Sequence, residues 1–249
     1  MGGDLFLGTL EDQSELAVRD YKYREFVVQK NELIQRVRNN LTERELKLLE
    51  FMISQVTAND DQLYTIKTTI SFINRLFRFG DGGRNLQLTR EALMSMRRKA
   101  FWFRDEERKT TETVSWLDKV VIYDDGSVEL RLDATLAPYL VGMLGGNFTQ
   151  YRLNDIVNLK GKNTLLMYKL IQSHYMGNKM AFELEREDLL DYFNKPDMKW
   201  NAFNQKIITP TIKKINDVTI IHVDYEFITR GRKITKVRFT VGPFKIHRR

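Results

Sequence analysis

A pattern of helices, strand and hairpin occurs twice in this chain, about 117 positions apart, and a repeat of that length dictates the architecture before any other feature is read. The first copy opens at Leu41-Thr42-Glu43-Arg44-Glu45-Leu46-Lys47-Leu48-Leu49-Glu50-Phe51, the second at Lys162-Asn163-Thr164-Leu165-Leu166-Met167-Tyr168-Lys169-Leu170-Ile171. At this offset Leu48, Leu49, Phe51 and Ile53 fall on Leu165, Leu166, Tyr168 and Leu170, and Phe72-Ile73-Asn74-Arg75-Leu76 falls on Leu189-Leu190-Asp191-Tyr192-Phe193. The match lies in hydrophobic pattern more than in identity. It implies two similar units in tandem, each of about 100–125 residues, an ordinary domain size.

Within each copy the local signals follow one order. Thr42 with Glu45 is a capping-box pair, each side chain able to satisfy a free backbone N–H at the start of a helix. Leu46, Leu49, Ile53 and Val56 then line one helical face. Asn31 is expected to cap a shorter helix before it, through Arg38. Tyr64, Ile66 and Thr68 alternate as a strand, a helix follows over 71–78, and Gly80-Asp81-Gly82-Gly83 breaks it. Thr89 is expected to cap a third helix over 90–99, with Ala92, Leu93, Met96 and Ala100 inward. Strand-like runs cover 100–104, 114–123 and 128–132, with the hairpin signal Asp125-Gly126 between the last two. In the second copy the corresponding stretches are a helix over 163–174, a strand over 180–184, a helix over 186–193 and a third helix over 200–216. Two alternating strands close it, carrying Ile221, Val223, Tyr225 and Phe227, then Thr235, Val237, Phe239 and Val241. The glycines of Val141-Gly142-Met143-Leu144-Gly145-Gly146-Asn147 mark the junction.

Helix, strand, helix, helix, hairpin is the order of a winged helix, whose third helix fits a major groove and whose hairpin reaches the flanking backbone. The expected fold is therefore α+β, two tandem winged-helix domains related by an internal repeat. Residues 1–26 form an acidic arm, residues 27–141 the first domain and residues 148–244 the second.

Charge separates the two halves. From 200 to 249 there are 11 Lys and Arg against 3 Asp and Glu, whereas the first 29 residues hold 3 against 6, in a chain of net charge +7. Concentrated positive charge attracts polyanions, nucleic acid above all. With Ile208, Ile212 and Ile215 as the buried stripe of the third helix, the opposite face presents Lys206, Thr209 and Lys213, with Lys214 and Asn201 near its edges. Pro210 inside this helix predicts a kink or a late start. The second hairpin carries Arg230, Arg232 and Lys233 at its tip and Lys236 and Arg238 on the return strand, the composition of a phosphate-contacting wing. Lys245, His247, Arg248 and Arg249 extend the basic stretch. In the first unit Arg90, Arg97, Arg98 and Lys99 are a candidate auxiliary DNA-facing set, on a copy equally suited to packing against a partner protein. Arg104, Arg108 and Lys109 follow, but the acidic residues among them weaken the local field.

Enzymatic readings find no support in the sequence. His174, His222 and His247 are isolated, without metal-ligand or triad spacing. Gly161-Lys162 looks like the end of a nucleotide-binding loop, but Ile156 and Asn163 stand where that loop needs Gly and Ser or Thr. No catalytic residue, cofactor or metal is expected. There is no cysteine, which fits a reducing cytoplasm. No stretch approaches the roughly 18 apolar residues of a membrane span, and acidic residues near the N-terminus do not suit a secretory signal.

The chain resembles the replication initiator (Rep) proteins of iteron-containing, theta-replicating plasmids, which have two winged-helix domains in tandem. Val27-Val28-Gln29-Lys30-Asn31-Glu32-Leu33-Ile34, with the Leu41–Leu49 stretch, is similar to the start of that family's first domain. Gln205-Lys206-Ile207-Ile208-Thr209-Pro210-Thr211-Ile212-Lys213-Lys214-Ile215-Asn216 is similar to its second-domain recognition helix, internal proline included. The resemblance covers about residues 27–242. It implies binding of double-stranded DNA at origin iterons, opening of adjacent AT-rich DNA, and recruitment of the host replication initiator and helicase. It also implies a dimer–monomer switch centred on the first domain, with autorepression, in a bacterial cytoplasm. It carries a recognition role to Gln205, Lys206, Thr209 and Lys213. Two other readings remain open at this point: a winged-helix transcriptional regulator without origin activity, and a protein-interaction module whose basic end solubilises it.

Overall fold

The computed structural model describes residues 18–22, 24–57, 59–105, 109–142, 147–175 and 180–243. Two five-residue strands, each running straight into a six-residue helix, stand at the centre. In the first half these are β2 (Phe26–Lys30) and α1 (Asn31–Arg36), and 122 positions later β8 (Phe148–Arg152) and α6 (Leu153–Asn158). The strands pair antiparallel with each other, Phe26 opposite Arg152, Val28 opposite Gln150 and Lys30 opposite Phe148. Val28 and Gln150 are thus both equivalent in the repeat and paired in the ladder. Equivalent residues that pair define a local two-fold axis, so the two units meet face to face about this ladder.

The second repeated element is a helix buried on nearly every side, α2 (Glu43–Ser54) in the first unit and α7 (Lys162–His174) in the second. The α2 start is the expected capping box, with the Thr42 hydroxyl accepting from the Glu45 N–H and the Glu45 carboxylate accepting from the Thr42 N–H at 2.6 Å. Leu46, Leu49 and Ile53 are buried as expected, and Val56 lies just beyond the helix. Near the ends of the two helices the Ser54 hydroxyl donates to the Phe51 carbonyl and the Ser173 hydroxyl to the Leu170 carbonyl. Those serines are 119 positions apart, which makes Glu50 and Lys169 equivalents. The next pairs, β3 (Thr65–Thr69) with α3 (Ile70–Leu76) and β9 (Ala181–Glu185) with α8 (Arg186–Tyr192), are 116 apart. None of these spacings is the expected 117: they fall from 122 through 119 to 116 because the connections shorten in the second copy, so that Leu48 is equivalent to Met167 rather than to Leu165.

Glu50 and Lys169 form an ion pair across the seam, with side chains 1% and 7% exposed. The Tyr151 hydroxyl donates to the other Glu50 oxygen, and the Gln29 amide donates to the Tyr151 oxygen. Gln29 and Tyr151 are again repeat equivalents, one on β2 and one on β8. Burial and the Glu50 charge hold the Tyr151 phenol well above its ordinary range, so it stays protonated and donates. Around this knot Lys47 donates to the Val157 carbonyl (3.0 Å), Lys162 to the Asn39 carbonyl (3.0 Å) and Gln35 to the Ser173 hydroxyl (3.2 Å). All three cross from one unit to the other.

In the first unit α3 leads to α4 (Gly83–Arg98), a hairpin of β4 (Ala100–Asp105) and β5 (Thr110–Ser115), and a second hairpin of β6 (Leu117–Ile122) and β7 (Ser127–Leu132). A short helix, α5 (Ala137–Leu140), precedes the junction. The second unit continues from α8 into α9 (Trp200–Phe203), a π turn over Asn204–Ile208, α10 (Thr209–Val218), and the hairpin of β10 (Ile221–Arg230) and β11 (Lys233–Pro243), with β9 against β11.

Several local expectations change. The end of the expected acidic arm is a strand, β1 (Val18–Asp20), parallel to β3 in a sheet ordered β1-β3-β7-β6, and Tyr21 stacks on Phe72 at 3.9 Å. Residues 1–17 lie outside the described residues, as do Arg108, Met143 to Gly146 and the basic tail after 243. Asn31 is the first residue of α1 rather than its cap, and its side chain bonds Asn147 and Thr149. Thr89 sits inside α4, fully buried, donating to Asn74 (2.6 Å) and accepting from Arg44 (2.7 Å), because the helix starts at Gly83. Ala100 is exposed. The run over 114–123 is cut at Trp116, which buries against Phe101 at 4.3 Å and bends the chain.

Lys169→Met is expected to cost about 3–5 kcal/mol, because it strands the Glu50 carboxylate in the seam. Pairing it with Glu50→Gln should recover a substantial part, since no unpaired charge remains. Urea unfolding measures both, and an unfolding curve for Lys169→Met that matches the wild type would remove the seam pair as a structural requirement.

Candidate nucleic-acid interface

The third helix of the second unit runs from Trp200 to Val218 without the break that Pro210 predicts. The π turn explains this. The Thr209 N–H reaches the Asn204 carbonyl, one residue further back than in an α-helix, immediately before the proline. The Thr211 hydroxyl then donates to the carbonyls of Ile207 (2.7 Å) and Ile208 (2.9 Å), serving acceptors in the turn before it. Ile207, Ile208, Ile212 and Ile215 are buried. Gln205, Lys206, Thr209, Lys213 and Lys214 are all exposed, so the structure brings the five expected recognition residues to the open side of one helix.

Their surroundings differ. The Thr209 hydroxyl lies 2.9 Å from the Tyr225 hydroxyl and 3.3 Å from the Asn204 amide oxygen, which ties the middle of the helix to β10. Lys213 pairs with Asp217 at 2.7 Å on the exposed surface, where such a pair contributes little and opens readily. Lys206 and Lys214 enter no ion pair among the described residues.

The wing divides into two parts. Arg230, Gly231, Arg232 and Lys233 form the tip, with Gly231 at φ +64°, the turn conformation glycine adopts at least cost. Arg230, Arg232 and Lys233 are exposed there, without ion pairs among the described residues. Lys236 and Arg238, further along the return strand, are held instead by carboxylates. Lys236 pairs with Glu185 (3.0 Å), and Arg238 with Glu183 (2.7 Å) and Glu226 (2.8 Å). Those carboxylates raise the basic groups' affinity for protons, and the bond from Arg238 in turn depresses Glu183. The positive field of the wing is thus concentrated at its tip, a distribution that needs the β9–β11 register and is not visible in the linear sequence.

In the first unit Arg97 and Arg98 are exposed in the last turn of α4, where cations also suit the helix dipole. Arg90 is half-buried, and its Nε is enclosed without a hydrogen-bond partner. Lys99 is not on that surface at all. Its ammonium pairs with Glu45 at 2.6 Å and closes the capping box of α2. Burial acts to raise the Glu45 carboxyl, but the bonds from Lys99 and from the Thr42 N–H outweigh it and hold the group below its ordinary range. The structure also adds lysines that the sequence reading did not assign. Lys162 and Lys195 stand beside Lys206 and Lys214, brought together by the turn before α7 and the turn after α8. No local sequence signal marks that meeting.

Among the described residues, no group of three His, Cys, Asp or Glu side chains is placed to hold a metal ion. His174 stacks on Phe182, and His222 lies 3.4 Å from Asp224. No helix of the described residues is long and apolar enough to cross a membrane.

Two units of this order, the second with an exposed third helix and a basic wing tip, define a tandem winged-helix protein of the DNA-binding class. The sequence matches the family described as Initiator Replication protein, WH1, over residues 26–172 and Initiator Rep protein, WH2, over residues 185–241. The chain belongs to this family of replication initiators. Its fold is similar to that in the crystal structure of Pi initiator protein in complex with iteron DNA, with a TM-score of 0.73 at 16% identity, over 89% of this chain and 98% of that one. It is also similar to domains 2 and 3 of RctB, with a TM-score of 0.51 at 11% identity, over 82% of each chain. At these identities the likeness is one of fold. No curated protein matches the sequence.

The Glu45–Lys99 contact has a pH signature. Glu45 titrates lower in the folded chain than its ordinary 4.5, so its contribution is complete above that value and is lost as pH falls through the folded value. Lys99→Gln is expected to reduce stability by about 1 kcal/mol at pH 7, the modest value of a partly solvated pair. The gap to wild type should close in acid. A gap that stays constant down to pH 3 in thermal melts would refute the assignment.

Proposed function

We propose that this protein initiates plasmid replication by binding repeated double-stranded DNA sites, iterons, at the origin through its second unit. The observation that carries the reading is the open face of the third helix. Gln205, Lys206 and Thr209 lie along it without a carboxylate partner, and Arg230, Arg232 and Lys233 are carried by the adjoining wing tip. Amide, ammonium and hydroxyl groups on a groove-sized helix are the donors and acceptors that read base edges, and the wing-tip cations suit flanking phosphates. Family membership and the likeness in fold to an initiator held on iteron DNA support the same reading. The domains are taken as 27–141 and 148–244. The first serves self-association in a dimer–monomer switch, with auxiliary DNA contact through Arg97 and Arg98. The protein acts without catalysis, opens neighbouring AT-rich DNA, recruits the host initiator and helicase, and represses its own gene in the bacterial cytoplasm.

Anisotropy titrations with direct repeats of about 20 base pairs, two helical turns so that successive copies lie on one face, test this reading. The log of affinity is expected to fall with log salt at a slope steeper than about −4, the signature of several neutralised phosphates. Replacing Lys206 or Thr209 should weaken binding to the repeat more than to random duplex, whereas replacing Arg230 or Arg232 should weaken both alike. A flat salt response would sink the proposal, and equal losses from both sets would remove the recognition-helix assignment.

A further inference from the structure

Beside the recognition helix lies a cleft of about 470 Å³ whose wall is positive and lacks any carboxylate. Lys206 and Lys214 line it from the third helix, one above the other on either side of Pro210. Lys162 and Asn163 line it from the start of α7, and Asn194 and Lys195 from the turn after α8. Four lysines therefore converge from three separate elements. Elsewhere the chain pairs its crowded lysines, Lys47 with Glu43, Lys99 with Glu45 and Lys236 with Glu183 and Glu185. Here no carboxylate lines the cleft, and among the described residues none of the four lysines is held in an ion pair. Among the described residues Lys162 donates to the Asn39 carbonyl, and burial together with the Lys99 and Lys195 charges depresses its ammonium against the opposing pull of Glu45. Like charges gathered in a concave, partly desolvated place repel, and a bound anion relieves that repulsion.

We infer that this cleft is a phosphate-binding site, and that in the DNA complex it seats a backbone phosphate next to the groove segment read by the third helix. The DNA part of the inference rests on the function proposed above. The site itself does not, since the same lysines would take a free phosphate compound. Ammonium groups on three elements surround a tetrahedral anion from several sides, whereas the exposed recognition residues meet the duplex along one line. The contact fixes the depth and register of the helix without reading sequence.

Lys195→Gln tests it, because Lys195 is exposed and its loss leaves the seam intact, and Lys162→Gln provides a second variant. Two measurements are made on each full chain: the salt dependence of binding to random-sequence duplex, and a calorimetric titration with pyrophosphate. Wild type is expected to bind pyrophosphate and both variants to bind it at least about five-fold more weakly. The log–log salt slope on duplex should become shallower by about 0.9, one phosphate contact fewer. Weaker pyrophosphate binding with an unchanged slope supports the site and assigns it to a free phosphate compound. An unchanged slope together with unchanged or absent pyrophosphate binding overturns the inference. If wild type fails to bind duplex at all, the function proposed above falls, and the pyrophosphate titration still decides the cleft.

Discussion

The buried Glu50–Lys169 pair is the constraint around which the two units are arranged. A carboxylate and an ammonium that are almost wholly enclosed are stable only if both stay in place and their remaining hydrogen-bonding capacity is met. Tyr151 and Gln29 help meet it from the two strands that pair across the seam. The ladder, the two central helices and the ion pair therefore specify one another. A slip of the β2–β8 register by one residue would turn the shifted strand's side chain, Gln29 or Tyr151, to the opposite face and break the chain of bonds to Glu50. Apolar packing would hold the units together with less angular discrimination. The polar knot selects a single angle between them, and with it the relative placement of the third helices of the two units.

The pair also shows how a repeat can diverge and remain a repeat. About a local two-fold axis, equivalent residues face each other, so identical charges at those positions would repel. The chain carries Glu in one copy and Lys in the other, and Gln in one copy with Tyr in the other. The same divergence appears on the outer surface. The first unit uses Lys99 to close its capping box and Arg44 to hold Thr89 and lie over Phe79 at 4.0 Å. The second unit leaves Lys206, Lys214 and the wing tip without such duties. Positive charge is available to a polyanion only where the fold does not already use it.

Much of this was legible in the sequence, because short-range signals decide it. The Thr42–Glu45 box, the alternation over 221–227 and 235–241, and the Asp125-Gly126 turn are contacts within a few residues, and they formed as expected. What the sequence hid depends on partners distant along the chain. Thr89 has the composition of a cap but is claimed by Asn74 and Arg44. Lys236 and Arg238 match a wing by type but are claimed by Glu183, Glu185 and Glu226 across the sheet. Pro210 is a breaker by type, yet one π turn absorbs it. Which side of the third helix is exposed was legible despite this, because its buried stripe of isoleucines fixes that side whichever way the turn winds.

The Asn39 carbonyl shows why the seam and the lysine-lined cleft are not separable parts. It accepts from Lys162 at the start of α7 and from Asn194 after α8, two points on the rim of the lysine-lined cleft. Asn194 has φ +54°, a conformation uncommon for a residue other than glycine, and the hydrogen bond its side-chain amide donates across the seam helps hold it there. A single backbone acceptor of the first unit thus helps set the floor of a surface belonging to the second. Any displacement of the units along the β2–β8 ladder must move that floor relative to the third helix, because Lys206 and Lys214 are anchored in the second unit alone while Lys162 is anchored in both. The geometry offered to a duplex is therefore set by both units, although most of the exposed charge lies on one.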